Sequence, residues 1–250
     1  MTRLQGKVAV VTGSSKGIGA AIAQRLAADG ASVVINYSRS ADEAEALVKR
    51  IQSAGGKAVA VKADVSNPAE IGKLFSAATQ TYGRLDILVN NAGRYKFLPL
   101  EAITPEHIDQ HFNLNVKALL LVTQAAVPLF GAEGGVVINI SSGVSLTPAP
   151  GSSVYSSTKA SVDIITRVLA MELGPKKIRV VGVAPGLTET EGLNDMPEVD
   201  EAMKNYSISR TPLGRVGKPE DIANAVAFMA SSDANWVTGE TLQVGGGLKF

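Results

Sequence analysis

The chain has no cysteine, two histidines and one tryptophan among its 250 residues. The absence of cysteine excludes disulfides and thiolate metal ligands, and it agrees with a reducing compartment. His107 and His111 stand four apart, but no glutamate follows the first, so the zinc-protease pattern fails. A solvated helix face is the expectation for them, and no metal is assigned. Aromatic residues are sparse at 5% and the formal net charge is only +1, so no long-range field recruits nucleic acid or an anionic membrane. Residues 1–6 lack the apolar run of a secretory signal. The longest apolar stretches are interrupted by Lys117, Gln124 and Pro128, and are expected to be too short to span a bilayer. A cytoplasmic protein is the expectation that remains.

What is present is an apolar fraction of 45% and 25 glycines. That apolar content supplies one core at this length if the unit is a repeating α/β one. Short apolar, largely β-branched runs at 8–11, 32–36, 58–62, 87–90, 136–140, 179–184 and 241–244 read as strands. Between them, 18–29, 42–54, 68–82, 105–130, 155–173 and 219–231 have helical spacing. Gly30, Gly55 and Gly174 follow three of these helices and are expected to cap them in the left-handed conformation. Continuous rather than alternating apolar strands predict a parallel sheet buried on both faces. Repetition of the strand–helix unit predicts a single-domain, doubly wound α/β sheet with right-handed crossovers. Ligands in such sheets bind beyond the carboxyl ends of the strands. Residues 187–215, rich in charge and carrying Pro197 and Pro212, form an unusually long connection and are expected to act as a substrate lid.

The first strand runs directly into Thr12-Gly13-Ser14-Ser15-Lys16-Gly17-Ile18-Gly19. Glycines at 13, 17 and 19 permit a tight turn, close approach of backbone to phosphate, and packing of the next helix on the strand. A pyrophosphate at that helix N-terminus is the ligand these features suit. Past the second strand, where the adenosine ribose of a dinucleotide lies, the chain offers Asn36, Tyr37, Ser38 and Arg39, with Lys16 on the glycine loop and no acid before Asp42. Two cations and a hydroxyl suit a 2′-phosphate, each charge-assisted bond contributing about 1.5–3 kcal/mol. NADP(H) is therefore expected over NAD(H).

Tyr155 and Lys159 are four residues apart on a predicted helix and so share a face. A free phenol has a pKa of about 10 and is a poor base at neutral pH. An ammonium ~4 Å away would contribute about 4 kcal/mol at an effective dielectric near 20, which is expected to bring the phenol towards neutrality. Ser142, at the end of the fifth strand, is placed to bond the same substrate oxygen, whereas Ser141 points the other way by strand alternation.

The glycine loop, Asn90-Asn91-Ala92-Gly93, Asn115, Ser142, Tyr155, Lys159 and Pro185-Gly186 occur in this order, and together they resemble the short-chain dehydrogenase/reductase family over essentially the whole chain. The resemblance implies a seven-stranded Rossmann fold in three layers, an NAD(P)(H) cofactor and a homotetramer. It implies Tyr155 as the acid/base, Ser142 as orienter of the substrate oxygen, Lys159 as activator of the tyrosine and ribose contact, and Asn115 as holder of a relay water. It further implies cofactor contacts at Gly13, Ser15, Lys16, Gly17, Ile18, Gly19, Ser38, Arg39, Asp64, Val65, Asn91, Gly93, Tyr155, Lys159, Pro185, Gly186 and Thr188. Gly245 and Ala118 depart from the family's frequent Asp and Gly at those places. Within the family the residues at 36–40 look like those of 3-oxoacyl-carrier-protein reductases and related carbonyl reductases. Arg94 and Lys96 offer a basic flank to an acidic carrier. A polyol or sugar dehydrogenase is the alternative, and a non-catalytic dinucleotide sensor is the alternative of another class; the intact Ser142, Tyr155 and Lys159 set speaks against the latter. Trp236 is expected to serve packing.

Overall fold

Four consecutive β-branched or small apolar residues, Val8–Val11, are all buried and form the first strand of a sheet covered on both faces. The computed structural model describes residues 3–194 and 201–248. Its strands are β1 (Val8–Val11), β2 (Ser32–Tyr37), β3 (Lys57–Lys62), β4 (Ile87–Asn90), β5 (Gly135–Ile140), β6 (Ile178–Pro185) and β7 (Thr241–Val244). They pair in the order β3-β2-β1-β4-β5-β6-β7, parallel throughout. The expected seven-stranded, doubly wound α/β sheet is what the chain forms.

The helices divide by face. α1 (Gly17–Ala28), α2 (Ala41–Ser53) and α9 (Pro219–Ala230) pack Ile22, Leu26, Leu47, Ile222 and Val226 against one side. α3 (Pro68–Tyr82), α5 (Leu119–Ala126) and α6 (Ser153–Leu173) pack Leu74, Phe75, Val122 and Leu173 against the other. Strand order reverses between β1 and β4, and a crevice opens there at the carboxyl ends of the strands.

Several expectations need correction. The helix expected over 105–130 is broken: α4 (Pro105–Phe112) passes through a π-helical stretch, Asn113–Ala118, before α5, and ends in a 3₁₀ turn at Val127–Leu129. A π-turn holds an extra residue and re-aims side chains, a device common at functional sites, and Asn115 sits inside it. By length and composition alone the run Pro105–Leu129 could cross a bilayer, its most apolar 18-residue window having a mean hydropathy of 1.3. Lys117, Gln124 and Pro128 thus interrupt it less than the sequence suggests; in the fold, Ala118, Leu119, Val122 and Ala126 are buried inside the chain.

Gly30 and Gly55 are left-handed (φ 99 and 84), but Gly174 has a right-handed φ of −52. α6 tightens into a 3₁₀ turn at Gly174–Lys176 instead, and Lys177 takes the left-handed position. His107 and His111 are not solvated: α4 turns them inward, both are buried, and their rings lie 4.3 Å apart. Burial is the main reason both imidazoles titrate below their usual value. Trp236, expected to serve packing, is instead fully exposed among the described residues.

The long connection contains α7 (Glu191–Asn194) and α8 (Glu201–Arg210). Residues 195–200 of it lie outside the described residues, and with them Pro197.

Candidate active site

The glycine turn is stapled from both neighbouring strands. Asn36 at the end of β2 accepts from Gly13 N (3.0 Å) through Oδ1 and donates to Ala63 O (2.9 Å). Asn91, just past β4, donates from Nδ2 to Thr12 O and Gly13 O, both at 2.9 Å. Thr12 Oγ1 in turn accepts from the backbone N–H groups of Asn91 and Ala92. Asn36, read from the sequence as part of the ribose pocket, is therefore buried and committed to the loop. A Cβ on Gly19 would lie 2.5 Å from Asn91 Nδ2 and from Gly13 O, so only glycine lets the helix start this close to the turn.

The loop opens into a cleft of about 1880 Å³. Lining it at one end are Gly13, Ser15, Lys16, Gly17, Ile18 and Gly19 of the turn. Ser38, Arg39, Asp64 and Val65 line the same end, from past β2 and β3. Arg39 and Lys16 are exposed, as a pair awaiting a solvent-facing phosphate would be. Asp64 accepts from Ser66 N and Oγ, which fixes its carboxylate at the rim. Asn91, Gly93, Pro185, Gly186 and Thr188 continue the wall, with Thr188 Oγ1 held by Gly186 O at 3.0 Å. The N-terminus of α1, the glycine cradle at Gly19 and the two rim cations together fit a phosphorylated dinucleotide.

At the other end, Ser142, Tyr155 and Lys159 meet in the same cleft. Ser142 stands beside the Tyr155 phenol and favours its ionised form, while its Oγ accepts from Val144 N at 3.5 Å. Ser141 is buried the other way, donating to Lys159 O at 3.3 Å, as strand alternation requires. Lys159 Nζ donates to Ile140 O at 2.8 Å and lies 5.8 Å from the Tyr155 ring centre. Asn115 is brought beside them by the π-helical stretch. Its side chain accepts from Arg94 N (2.8 Å) and donates to Arg94 O and Thr158 Oγ1. The Asn115 amide therefore clamps the loop after β4 to α6.

Titration in this site differs from the simple expectation. Burial pushes the Tyr155 phenol up to about 12, against a smaller lowering by the Ser142 hydrogen bond and a raising by Tyr95. Burial also brings Lys159 down to about 8, opposed by Asp163. The ammonium, bonded to Ile140 O and 5.8 Å from the ring centre, does not reverse that desolvation. At neutral pH the protein alone thus presents a protonated phenol, an acid facing the cleft.

The substrate side was only partly legible. Tyr95 and Phe97 pack on Tyr155, with ring centres 6.3 and 6.0 Å away. Leu98, Leu146 and Leu187 extend that apolar wall. Of this wall, the stretch from 187 onward reads from the sequence as facing substrate, and no spacing signals the aromatic contact. No cluster of three or more metal-ligating side chains occurs among the described residues.

A parallel sheet with a stapled glycine turn at its switch point and a Ser-Tyr-Lys set across the crevice defines a dinucleotide-dependent oxidoreductase. Comparison with known proteins agrees. A family profile described as enoyl-(acyl carrier protein) reductase matches residues 13–249. An uncharacterized oxidoreductase of Methylorubrum extorquens is 53% identical over 249 residues, covering 100% of both chains. A short-chain dehydrogenase from Burkholderia cenocepacia, solved with NADP, is 40% identical with a TM-score of 0.91, covering 98% of this chain and 99% of its own. A 7α-hydroxysteroid dehydrogenase, solved with NADH and 7-oxo glycochenodeoxycholic acid, is 36% identical with a TM-score of 0.93, covering 98% of this chain and 95% of its own. The chain belongs to the short-chain dehydrogenase/reductase family, whose members interconvert carbonyl and alcohol groups.

Proposed function

We propose that the protein is an NADP(H)-dependent carbonyl reductase acting on a bulky apolar ketone. The observation that carries this is the meeting of Ser142, Tyr155 and Lys159 in one cleft, with Tyr95 and Phe97 packed on the phenol ring. When bound, the cofactor supplies the hydride. Ser142 and Tyr155 would hold the carbonyl oxygen, and Tyr155 would give it a proton as the negative charge develops there. Lys159, an ammonium below pH about 8, would stabilise the phenolate left behind. Asn115 would keep the Arg94 backbone in register beside them.

Lys16 and Arg39 at the rim, with no carboxylate at Ser38, support NADP(H) over NAD(H). The Burkholderia relative bears NADP and the hydroxysteroid enzyme NADH, so the preference turns on these residues of this chain. The aromatic and leucine wall favours a ring-bearing or acyl ketone over a polyol or sugar, whose hydroxyls need polar partners. Residues 187–215 would cover the substrate. A homotetramer is supported by two exposed apolar faces: Ile164, Val168 and Met171 on α6, and Trp236 with Leu242 beside β7.

The test is oxidation of NADPH, followed by absorbance, against ring ketones, 3-oxoacyl thioesters and sugars. Turnover of ring ketones or acyl thioesters well above sugars is expected. Faster turnover of sugars would overturn the substrate assignment, and full activity in Tyr155→Phe would overturn the catalytic one.

A further inference from the structure

Tyr155 and Lys159 lie on successive turns of α6, and the next turn of the same face carries Asp163. The reaction as described does not use this carboxylate. It is only 6% exposed. Thr241 Oγ1 of β7 donates to its Oδ1 at 3.2 Å. A carboxylate offers about four lone-pair sites, and burying one is costly unless positive charge compensates it. One turn back on the same helix face stands Lys159, an equally buried cation, whose Nζ bonds Ile140 O rather than pairing directly with Asp163.

Other charges around them are few. β5 and β7 carry none, and Arg179 of β6 is bonded to the carbonyls of Met229 and Val237 beside α9, on the opposite face of the sheet. Arg94 and Lys96 of the loop after β4, Lys117 of the π-helical stretch, Glu106 and Asp109 of α4, and Lys176 after α6 are exposed, as is Arg167 one turn beyond Asp163, and Tyr95 of that same loop packs on the Tyr155 ring. His107 and His111 on α4 are buried, and both titrate below the usual imidazole value. Asp163 is thus the buried carboxylate that acts on Lys159, opposing the burial that lowers it.

We propose that Asp163 is a positioning residue for proton transfer, a fixed buried counter-charge that keeps Lys159 an ammonium while Tyr155 acts. This rests on the roles proposed above for Tyr155 and Lys159. The sign is unambiguous: removing a negative charge favours the deprotonated form of both neighbours, so ammonium and phenol each lose their proton at lower pH. Because the two titrate as a coupled set, the measurable quantity is the alkaline limb of kcat/KM for ketone reduction.

The experiment is that pH profile for the full-length enzyme with NADPH, in Asp163→Asn and Asp163→Glu. Asparagine keeps an acceptor for Thr241 and removes only the charge. Its limb is expected to move to lower pH by about one unit, with activity above the limb falling about tenfold. Glutamate is expected to keep the parent limb. A purely structural link from α6 to β7 would lower thermal stability without moving the limb. A limb in Asp163→Asn that coincides with the parent overturns the proposal. Should asparagine prevent folding, Asp163→Glu and Asp163→Gln differ in charge alone, and a common limb in those two is equally fatal. Failure of the underlying roles is read separately, as retained activity in Tyr155→Phe.

Discussion

The two ends of the cleft are built on opposite plans. At the glycine turn, a buried amide of Asn36 and a half-buried one of Asn91 hold the backbone, while the cations that would meet the ligand, Lys16 and Arg39, stand in solvent. At the Ser-Tyr-Lys end the groups proposed to react are drawn inward, Lys159 buried and Ser142 and Tyr155 half-buried, and desolvation rather than pairing dominates the titration of Tyr155 and Lys159. Recognition of a phosphate needs a preformed surface of N–H groups and charge that can be reached. Proton transfer needs groups whose charge states the interior controls. The difference teaches that one cleft can be rigid and wet at one end, and apolar and finely titrated at the other.

Substitutions at the two ends are therefore expected to fail differently. The largest effect is at the enclosed end: Tyr155→Phe should lower kcat for reduction by about 10²–10⁴ while leaving NADPH binding near the parent value, measured by steady-state kinetics and fluorescence titration. At the open end, Arg39→Ala should raise the KM for NADPH about tenfold or more and leave that for NADH unchanged, because one charge-assisted bond is lost. An equal rise for both cofactors would break the contrast.

Asn91→Ala probes the staples rather than the ligand. Losing two donors to the Thr12 and Gly13 carbonyls should cost about 1–3 kcal/mol in urea unfolding and weaken both cofactors alike. The smallest effect is expected far from both ends. Asp221, held at about 2 by Arg215 and by Lys218 N, gives stability that is present above the ordinary carboxylate pKa and lost as pH falls towards 2. Its partner is half exposed, so Asp221→Asn should lower Tm slightly near neutrality, less at high salt, and not at all at the acid extreme.

Much of the fold was legible because continuous Val and Ile runs leave few alternatives to a buried parallel strand. β1, β4 and β7 begin and end where the sequence placed them, and the others differ by one or two residues. The break at Asn113–Ala118 was not legible. Its residues have ordinary helical spacing, and the π-turn is stabilised from outside, by the Arg94 backbone and Thr158 bonding Asn115. The burial of His107 and His111 was missed for the same kind of reason: polar side chains on a helix face give no sign of what packs above them. Trp236 was the converse, a large apolar residue left fully exposed by the described residues.

The sequence by itself determined the strand order of chemistry: a glycine turn that only glycine can make, a dinucleotide-sized crevice at the switch point, and Ser142, Tyr155 and Lys159 at spacings that converge on it. Periodicity and backbone permissiveness are local properties, and local properties are written along the chain. Tertiary structure alone decided that Asn36 and Asn91 are staples, that Tyr155 is an acid at neutral pH, and that Asp163 lies buried one turn beyond Lys159. Those outcomes depend on desolvation and on partners tens of residues away, which exist only once the chain has closed around them.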